Sequence, residues 1–109
     1  MAQAPLQNVL VVLVTCPPAQ AEALAQGLVE DRVAACVNVV PALRSVYRWK
    51  DGVQKDDEAL LLVKTTRDRF DALKQAVLAR HPGLLPEVIA IPVDRGHTPY
   101  IDWVVESTR

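Results

Sequence analysis

The 109-residue chain has few of the residues on which several classes of site depend. Its four glycines are too scattered to form a phosphate-binding loop, and no Walker, GxGxxG or nucleophile-elbow motif is present. Its two cysteines do not have CxxC spacing, and HExxH is absent, which argues against a zinc site closed within one chain. Nothing in the sequence requires catalysis, so we expect no enzymatic activity and no organic cofactor.

The chain also lacks a charge excess of either sign. Twelve Lys and Arg residues stand against 13 Asp and Glu, which leaves a net charge of -1 and no general attraction to nucleic acid or to an anionic membrane. There is no apolar run of membrane-spanning length and no pattern of a secretion signal. We therefore expect a cytoplasmic protein whose cysteines, Cys16 and Cys36, stay reduced.

The length of 109 residues predicts one domain, residues 1–109 with its core at about 8–108, and a hydrophobic fraction of one half is enough for a single compact core. Short β-rich runs predict strands at 8–15, 33–40 continuing at 44–50, 58–65 and 88–93. Helical spacing follows Pro17-Pro18, Thr66 and Thr98, and the two threonines are predicted N-caps. The order βαββαβ plus a terminal helix predicts an α+β, ferredoxin-like fold with an antiparallel sheet. Helices would cover one face, so covering the other favours an oligomer.

The second and third strands are predicted to form a long, projecting hairpin. Pro41 predicts a kink or bulge, and Asp51-Gly52 predicts the two central residues of the turn. Within the stretch VYRWKDG, alternation places Tyr47 and Trp49 on one face of the hairpin. The basic residues Arg44, Arg48 and Lys50 fall on the other face. Because a single-stranded nucleic acid would need both sets on one side, this separation favours a protein interface through the two aromatic residues.

Three residues of the predicted strands, Cys36, Asn38 and Lys64, are candidates for a binding site. Cys36 and Asn38 lie two apart in a strand and share one face, and an amide in an apolar strand suggests that this face lines a cleft. Lys64 is a charge in an apolar strand that is expected to reach a carboxylate, such as Glu58 or Glu87, or an anionic ligand.

His81 and Glu87 flank the segment HPGLLPE and could bind a transition metal together with a third ligand. A histidine near a helix end is more often a surface or capping residue. Cys16, before the first helix, is interpreted chiefly as a small, partly buried residue, with a redox or metal role as the alternative. His97, in a turn, is expected to be an ordinary loop residue.

Six segments in order, AACVNVVP, SVYRW, LLLVKTT, RHP, PEVIAIPV and YIDWV, resemble the CutA family of divalent-cation tolerance proteins, over about residues 9–108. The resemblance implies a tight homotrimer of ferredoxin-like subunits whose aromatic hairpins, here Tyr47 and Trp49, contact neighbouring subunits. It also implies a role in tolerance of copper and other divalent cations. The trimer is similar to the PII signalling proteins, whose ligands occupy clefts between subunits.

Residue by residue, Cys36 matches the cysteine of the family's ACV motif, and His81 matches the histidine of its HPY motif. These two are the metal candidates, with Asn38, Lys64 and Glu87 predicted to line the cleft. The chain departs from the pattern elsewhere. Val14 and Arg80 replace a cysteine and a histidine of some members, and HPGLLP replaces HPY and its tyrosine.

The resulting hypothesis is a trimeric, non-enzymatic protein that binds a divalent cation such as Cu(II) in an intersubunit cleft, with no nucleic-acid or membrane partner. The alternative is a PII-like signalling trimer that binds a small anion or a partner protein, with Lys64 as the anion contact.

Overall fold

The sheet is built from four strands, which appear in the computed structural model that describes residues 8–109. The elements in chain order are β1 (Val9–Cys16), a 3-10 turn (Pro18–Gln20), α1 (Ala21–Glu30), β2 (Cys36–Trp49), β3 (Gly52–Thr66), a second 3-10 turn (Arg67–Arg69), α2 (Phe70–Arg80), β4 (Val88–Pro92) and α3 (Thr98–Ser107). The spatial order is β2-β3-β1-β4, and each neighbouring pair is antiparallel. The predicted ferredoxin-like order with a terminal helix is confirmed.

One face of the sheet carries the main core. In β1 and β3, alternate residues are buried against α1 and α2, because successive side chains of a strand point to opposite faces. Helix α1 supplies Leu24 and Leu28, and α2 supplies Leu73 and Val77, each pair at a spacing of four residues. These apolar contacts fix both helices on the same side of the sheet.

The opposite side of the sheet, called the open face here, consists of the intervening residues. They include Val11, Leu13 and Thr15 of β1, Leu60, Leu62 and Lys64 of β3, Ile89 and Ile91 of β4, and Cys36, Asn38 and Val40 of β2. Helix α3 covers only the end near Val9, through Ile101 and Val104. Elsewhere Ile89 and Ile91 are about half exposed, at 52% and 49%.

The outer halves of β2 and β3 extend past the end of β1 and form the segment called the arm, residues 43–58. The ladder shifts register between Val40 and Leu43, where Pro41 and Ala42 stand opposite the one residue Ala59. This is a β-bulge at the predicted kink. Before the bulge the even-numbered residues of β2 lie on the open face, and after the bulge the odd-numbered residues lie on that side. The protein is accordingly long, with principal extents of 53 × 26 × 22 Å.

The arm turns one residue earlier than the sequence predicted. Trp49 pairs with Gly52, so Lys50 and Asp51 are the central residues, and Lys50 adopts the positive φ of 56°. The prediction of Asp51-Gly52 as the centre was wrong, because cross-strand pairing of the arm fixes the register over the local preference for Asp-Gly. The same pairing makes the polar residues from Gly52 onward part of β3, which begins six residues before the predicted 58.

Two predicted caps differ in detail. Thr66 precedes the 3-10 turn, and its side chain makes no capping hydrogen bond; α2 itself begins at Phe70. His97, with extended backbone angles, holds the N-cap position of α3, so Thr98 is the first helical residue. Prolines at the starts of both the first 3-10 turn and α3 suit positions where an N–H would have no partner.

Candidate functional site

A cleft of about 600 Å³ separates the arm from the loop that connects α2 to β4. One wall is the open-face side of the arm, with Tyr47 and Trp49, and the other is the loop around Leu84 and Glu87. Its remaining lining residues are Thr15, Ser45, Val46, Arg48, Glu58, His81, Gly83 and Leu85. Two carboxylates and two aromatic rings thus face one cavity of the size that holds a small molecule.

The loop wall is held by the imidazole of His81. Nε2 lies 2.8 Å from the carbonyl oxygen of Thr15, which can only accept, so Nε2 carries the proton. The Gly83 N–H donates to Nδ1 at 2.8 Å. A Cβ at Gly83 would approach Cε1 of the ring to 2.8 Å, so glycine permits this close contact. Both ring nitrogens are therefore engaged within the chain.

The arm wall is fixed by a hydrogen bond across the strands. The hydroxyl of Tyr47 donates to the carboxylate of Asp56, which stands opposite Ser45 on the same face. This bond, followed by burial and by the charges of Asp56 and Glu58, raises the pKa of Tyr47. On the reverse face Arg44 pairs with Asp57 at 3.1 Å. The predicted separation of aromatic and basic residues by face is present, although Lys50 lies in the turn.

Cys36, Asn38 and Lys64 lie together on the open face, and none of the three lines this cleft. Cys36 stands opposite Lys64 in the ladder, and the ammonium of Lys64 donates to the amide oxygen of Asn38. Tyr100 of α3 lies beside Cys36. Burial, and then the neighbouring Cys36 thiol, raise the pKa of Tyr100. The prediction that Lys64 reaches the carboxylate of Glu58 or Glu87 was wrong, since Lys64 forms no ion pair among residues 8–109.

The two predicted metal ligands occupy opposite ends of the sheet. Cys36 pairs with Lys64 of β3, and Lys64 pairs with Val11 of β1. His81 binds Thr15, which lies four residues further along β1. Four residues of strand correspond to roughly 13 Å, before the sideways separation of the strands is added. Across residues 8–109, no three side chains of His, Cys, Asp or Glu lie close enough to hold a metal ion. A site that uses both residues has to draw on more than one chain.

Glu87 and His81 line the cleft, while Asn38 and Lys64 do not. Thr15, Leu84, Leu85 and Tyr100 were not predicted as site residues from the sequence. Leu84 and Leu85 had a usable signal, because two adjacent leucines between prolines belong to no periodic element; they are 90% and 77% exposed. The Thr15 contribution is a backbone carbonyl, which side-chain patterns cannot reveal.

Cys16 is buried at the end of β1, and both cysteines are free. Burial, and secondarily the charge of Glu58, raise the pKa of the Cys16 thiol. A raised pKa lowers the thiolate population, which is the opposite of what a reactive cysteine needs. This environment favours the interpretation of Cys16 as a small core residue. None of the helices formed by residues 8–109 is long and apolar enough to span a bilayer.

The fold and the site define a ferredoxin-like protein with a partly uncovered sheet and a projecting aromatic arm. The chain belongs to the CutA1 family, described as "CutA1 divalent ion tolerance protein", whose profile matches residues 10–107.

A curated relative from Thermus thermophilus, "Divalent-cation tolerance protein CutA", is 50% identical over 90% of this chain and 96% of its own length. The mouse "Protein CutA" is 41% identical over 94% of this chain, which spans only 58% of the mouse protein.

Solved structures agree with this assignment. A divalent cation tolerance protein from Thermus thermophilus superimposes with a TM-score of 0.90 at 49% identity, over 93% of this chain and 99% of that one. A "PII-like protein CutA" from Nostoc superimposes with a TM-score of 0.87 at 35% identity, over 92% of this chain and 97% of the other. The family resemblance drawn from the sequence is confirmed.

Proposed function

We propose that the chain binds a divalent cation such as Cu(II) without catalysing a reaction, that it acts in metal-ion tolerance, and that its working form is a homotrimer. Membership of a family described by divalent ion tolerance supports the physiological role. The proposed ligands are Cys36 and His81, and thiolate and imidazole both suit copper among the available metals. A cytoplasmic location stays a prediction.

The observation that carries this proposal is the separation of Cys36 and His81 on a sheet whose open face is largely uncovered. Among residues 8–109 neither Cys36 nor His81 has enough neighbouring ligands to hold a metal ion, so a neighbouring copy would complete the coordination. Apolar residues such as Ile89 and Ile91, half exposed in one chain, supply the surface that such a copy would bury. Burial of this surface would stabilise the assembly in which the ligands meet.

His81 has to release one hydrogen bond before it can coordinate a metal. The bond from Gly83 to Nδ1 is exposed, so the freed N–H can turn to water, whereas the bond from Nε2 to Thr15 is partly buried. Releasing a buried partner costs more than releasing an exposed one. Nδ1 is therefore the proposed coordinating atom of His81.

Tyr47 and Trp49 are the proposed contacts between subunits. Both lie on the open-face side of the arm, beyond the point where β1 ends, and Tyr47 is 39% exposed. Large aromatic side chains at the centre of an interface contribute much of its binding energy. The arm would thus place its rings against a neighbouring copy and leave the Arg44 side toward solvent.

Copper titration of purified protein tests the metal site. Cu(II) should bind the natural chain and the His97→Ala variant with equal affinity, because His97 is an exposed loop residue. The double variant Cys36→Ser, His81→Ala should lose this affinity while keeping its oligomeric mass. Unchanged copper affinity in the double variant rules out the assignment.

Mixing of subunits tests whether the two ligands come from different chains. Cys36→Ser protein and His81→Ala protein should each bind copper poorly. After they are unfolded together and refolded, random mixing in a closed ring should restore about one quarter of the sites, because some interfaces pair an intact Cys36 with an intact His81. An intrachain site would regain nothing.

A second candidate function, binding of a small anion as in a PII-like signalling protein, is favoured by Lys64. Among residues 8–109 its ammonium has no carboxylate partner and donates only to Asn38. A thermal-shift screen over nucleotides and metals should separate the two functions, because only a ligand that prefers the folded state raises the melting temperature. Under the anion function, a nucleotide raises the melting temperature of the natural chain and not of Lys64→Met.

A further inference from the structure

A second cavity, of about 260 Å³, lies at the end of the sheet that is remote from the arm. The residues that line it include Asn8, Thr66, Asp68, Arg69, Thr108 and Arg109. They come from the start of β1, the end of β3, the second 3-10 turn and the end of α3. The proposed interface residues Tyr47 and Trp49 are not part of this cavity.

Arg69 brings an uncompensated positive charge to the wall of this cavity. Its Nε is buried and has no hydrogen-bond partner. Among residues 8–109 its guanidinium forms no ion pair with Asp or Glu. Buried polar groups nearly always have a partner, and the cost of leaving one unpaired is larger when the group is charged. A negatively charged acceptor inside the cavity would offset this cost.

Further hydrogen-bond donors border the same cavity. The side chain of Thr66 makes no capping hydrogen bond, so its hydroxyl is free to donate, and Asn8 contributes an exposed amide. Arg109 pairs with Glu106 at 3.3 Å, but both side chains are about 70% exposed, at 71% and 70%. Such a surface pair contributes little, so Arg109 is free to turn toward the cavity. Among the lining side chains two guanidinium groups stand against one carboxylate, that of Asp68.

The helix ends at the cavity also accommodate an anion. Arg69 holds the N-cap position of α2, and the N-terminus of a helix attracts negative charge. At the end of α3, the last carbonyl oxygens already accept from the hydroxyl of Thr108, at 2.9 and 3.2 Å. The main-chain oxygen of Arg109 accepts from Nε of Arg32 at 3.1 Å. The cavity is smaller than the roughly 300 Å³ of the smallest drug-sized sites, so it suits a small anion.

We propose that this cavity binds a phosphate group, carried by inorganic phosphate or by a small phosphomonoester. Arg69 is the main contact, and Thr66 and Asn8 are additional donors. The N–H groups of a guanidinium match the oxygens of phosphate in geometry and charge. A phosphate group has more acceptor oxygens than a carboxylate, and it therefore suits donors that approach from separate walls. The site does not depend on copper, and it is distinct from Lys64, the anion contact of the second candidate function.

Phosphorus NMR titration of the natural protein, in its native assembly and at constant ionic strength, tests the proposal. Inorganic phosphate or glycerol phosphate should bind with a dissociation constant of about 1–10 mM, and the one that binds more tightly identifies the carrier of the phosphate group. Acetate should displace it only at a concentration at least about fivefold higher than phosphate requires. Binding of neither phosphate compound, or equal competition by acetate, overturns the proposal.

Two neighbouring substitutions should change phosphate affinity in opposite directions. Arg69→Gln removes the main positive charge and should weaken binding at least about fivefold. Asp68→Asn removes the like charge beside the anion and should strengthen binding. Because Asp68 is exposed, this second variant keeps the test valid if Arg69→Gln alters the oligomeric mass. The control is Arg95→Gln, since Arg95 is 92% exposed and lies outside the cavity.

Equal losses for Arg69→Gln and Arg95→Gln would show an adventitious ion only, and unchanged affinity in both cavity variants would equally contradict the site. Lys64→Met should keep the phosphate affinity within about twofold at physiological ionic strength. A larger loss would move the phosphate site to Lys64 and overturn the proposal. Copper affinity should be the same in Arg69→Gln as in the natural chain, so this result and the proposed metal function are tested separately.

Discussion

The imidazole of His81 joins two parts of the chain that are 66 residues apart: Nε2 donates to the carbonyl of Thr15 at the end of β1, while Nδ1 accepts from Gly83 in the following loop. This arrangement holds one wall of the cleft at a fixed distance from the sheet. It also sets the cost of any metal binding by His81, because one of these bonds has to open.

Replacement of His81 by Ala should lower the free energy of unfolding by about 1–3 kcal/mol, since a partly buried carbonyl loses its donor. Urea unfolding at one fixed protein concentration measures the change, because assembly makes stability concentration-dependent. The matched control is His97→Ala, which removes an exposed imidazole and should change the free energy by less than about 0.5 kcal/mol. Similar values for the two variants would show that the His81 bonds do not stabilise the fold.

Replacement of Gly83 by Ala should act through the His81 ring. The added Cβ would lie 2.8 Å from Cε1, so the ring has to move and its bond to Thr15 is strained. In a His81→Ala background the same substitution should be nearly harmless. A double-mutant cycle should therefore give a coupling of at least about 0.5 kcal/mol. If the effects of Gly83→Ala and His81→Ala on the free energy of unfolding are additive, the destabilisation by Gly83→Ala arises from the loop backbone and not from the His81 ring.

Removal of the Trp49 ring should weaken the trimer more than removal of the Arg48 side chain. The two residues are neighbours in β2, but Trp49 faces the open-face side and Arg48 the reverse side. Truncation of an aromatic anchor costs about 2 kcal/mol or more of association free energy, and truncation of an exposed charge costs little. Sedimentation over a range of concentrations compares Trp49→Ala with Arg48→Ala. If Arg48→Ala loses more association free energy than Trp49→Ala, the Arg48 face of the arm and not the Trp49 face contacts the neighbouring subunit.

Stability should decline in strongly alkaline solution. The pKa values of both tyrosines are raised above the ordinary 10.0, that of Tyr47 first by its bond to Asp56 and that of Tyr100 first by burial. Because the pKa of each tyrosine is higher in the folded state, its protonated form adds to the free energy of unfolding. This stabilisation is complete below pH 10.0 and is lost as the pH rises through the raised pKa values. Denaturant unfolding across this range measures the decline. In a Tyr47→Phe, Tyr100→Phe variant the free energy of unfolding should decline less with rising pH. An equal decline would show that groups other than these tyrosines cause it.

Cys16 should resist alkylation in the folded protein. Its thiol is buried and its pKa is raised, so thiolate is scarce and the sulfur is inaccessible. Peptide mass mapping after iodoacetamide treatment should find Cys16 unmodified in buffer and modified in denaturant. Rapid modification in buffer would restore the redox interpretation of this residue.

The order of the elements could be predicted from sequence because the apolar periods of the strands and helices are undisturbed. Pro41 also indicated the bulge. Because proline has no N–H to donate, it fits few other positions in the hydrogen-bonded ladder of a sheet. The local rules failed in the arm. Asp56 and Asp57 are poor strand residues, and they belong to β3 only because they pair with Ser45 and Arg44.

The candidate site was less predictable than the fold. Its residues come from segments whose separation depends on register and loop path, such as Cys36 at one end of the sheet and His81 at the other. The partner of Lys64 is an amide two residues along the neighbouring strand, a contact that depends on the β2-β3 pairing. The family resemblance indicated the residue types, whereas the distances between them are seen only in the folded structure.

Native mass spectrometry in the presence of Cu(II) tests whether the trimer is the metal-binding form, because it reads assembly and metal content in one spectrum. The chain has a mass of 12.0 kDa, so three copies (3 × 12.0) amount to about 36 kDa. We expect copper to be carried by the trimer and not by the residual monomer, and we expect Cys36→Ser, His81→Ala trimers to carry none. A monomer that retains copper, or a natural trimer that carries none, would contradict it.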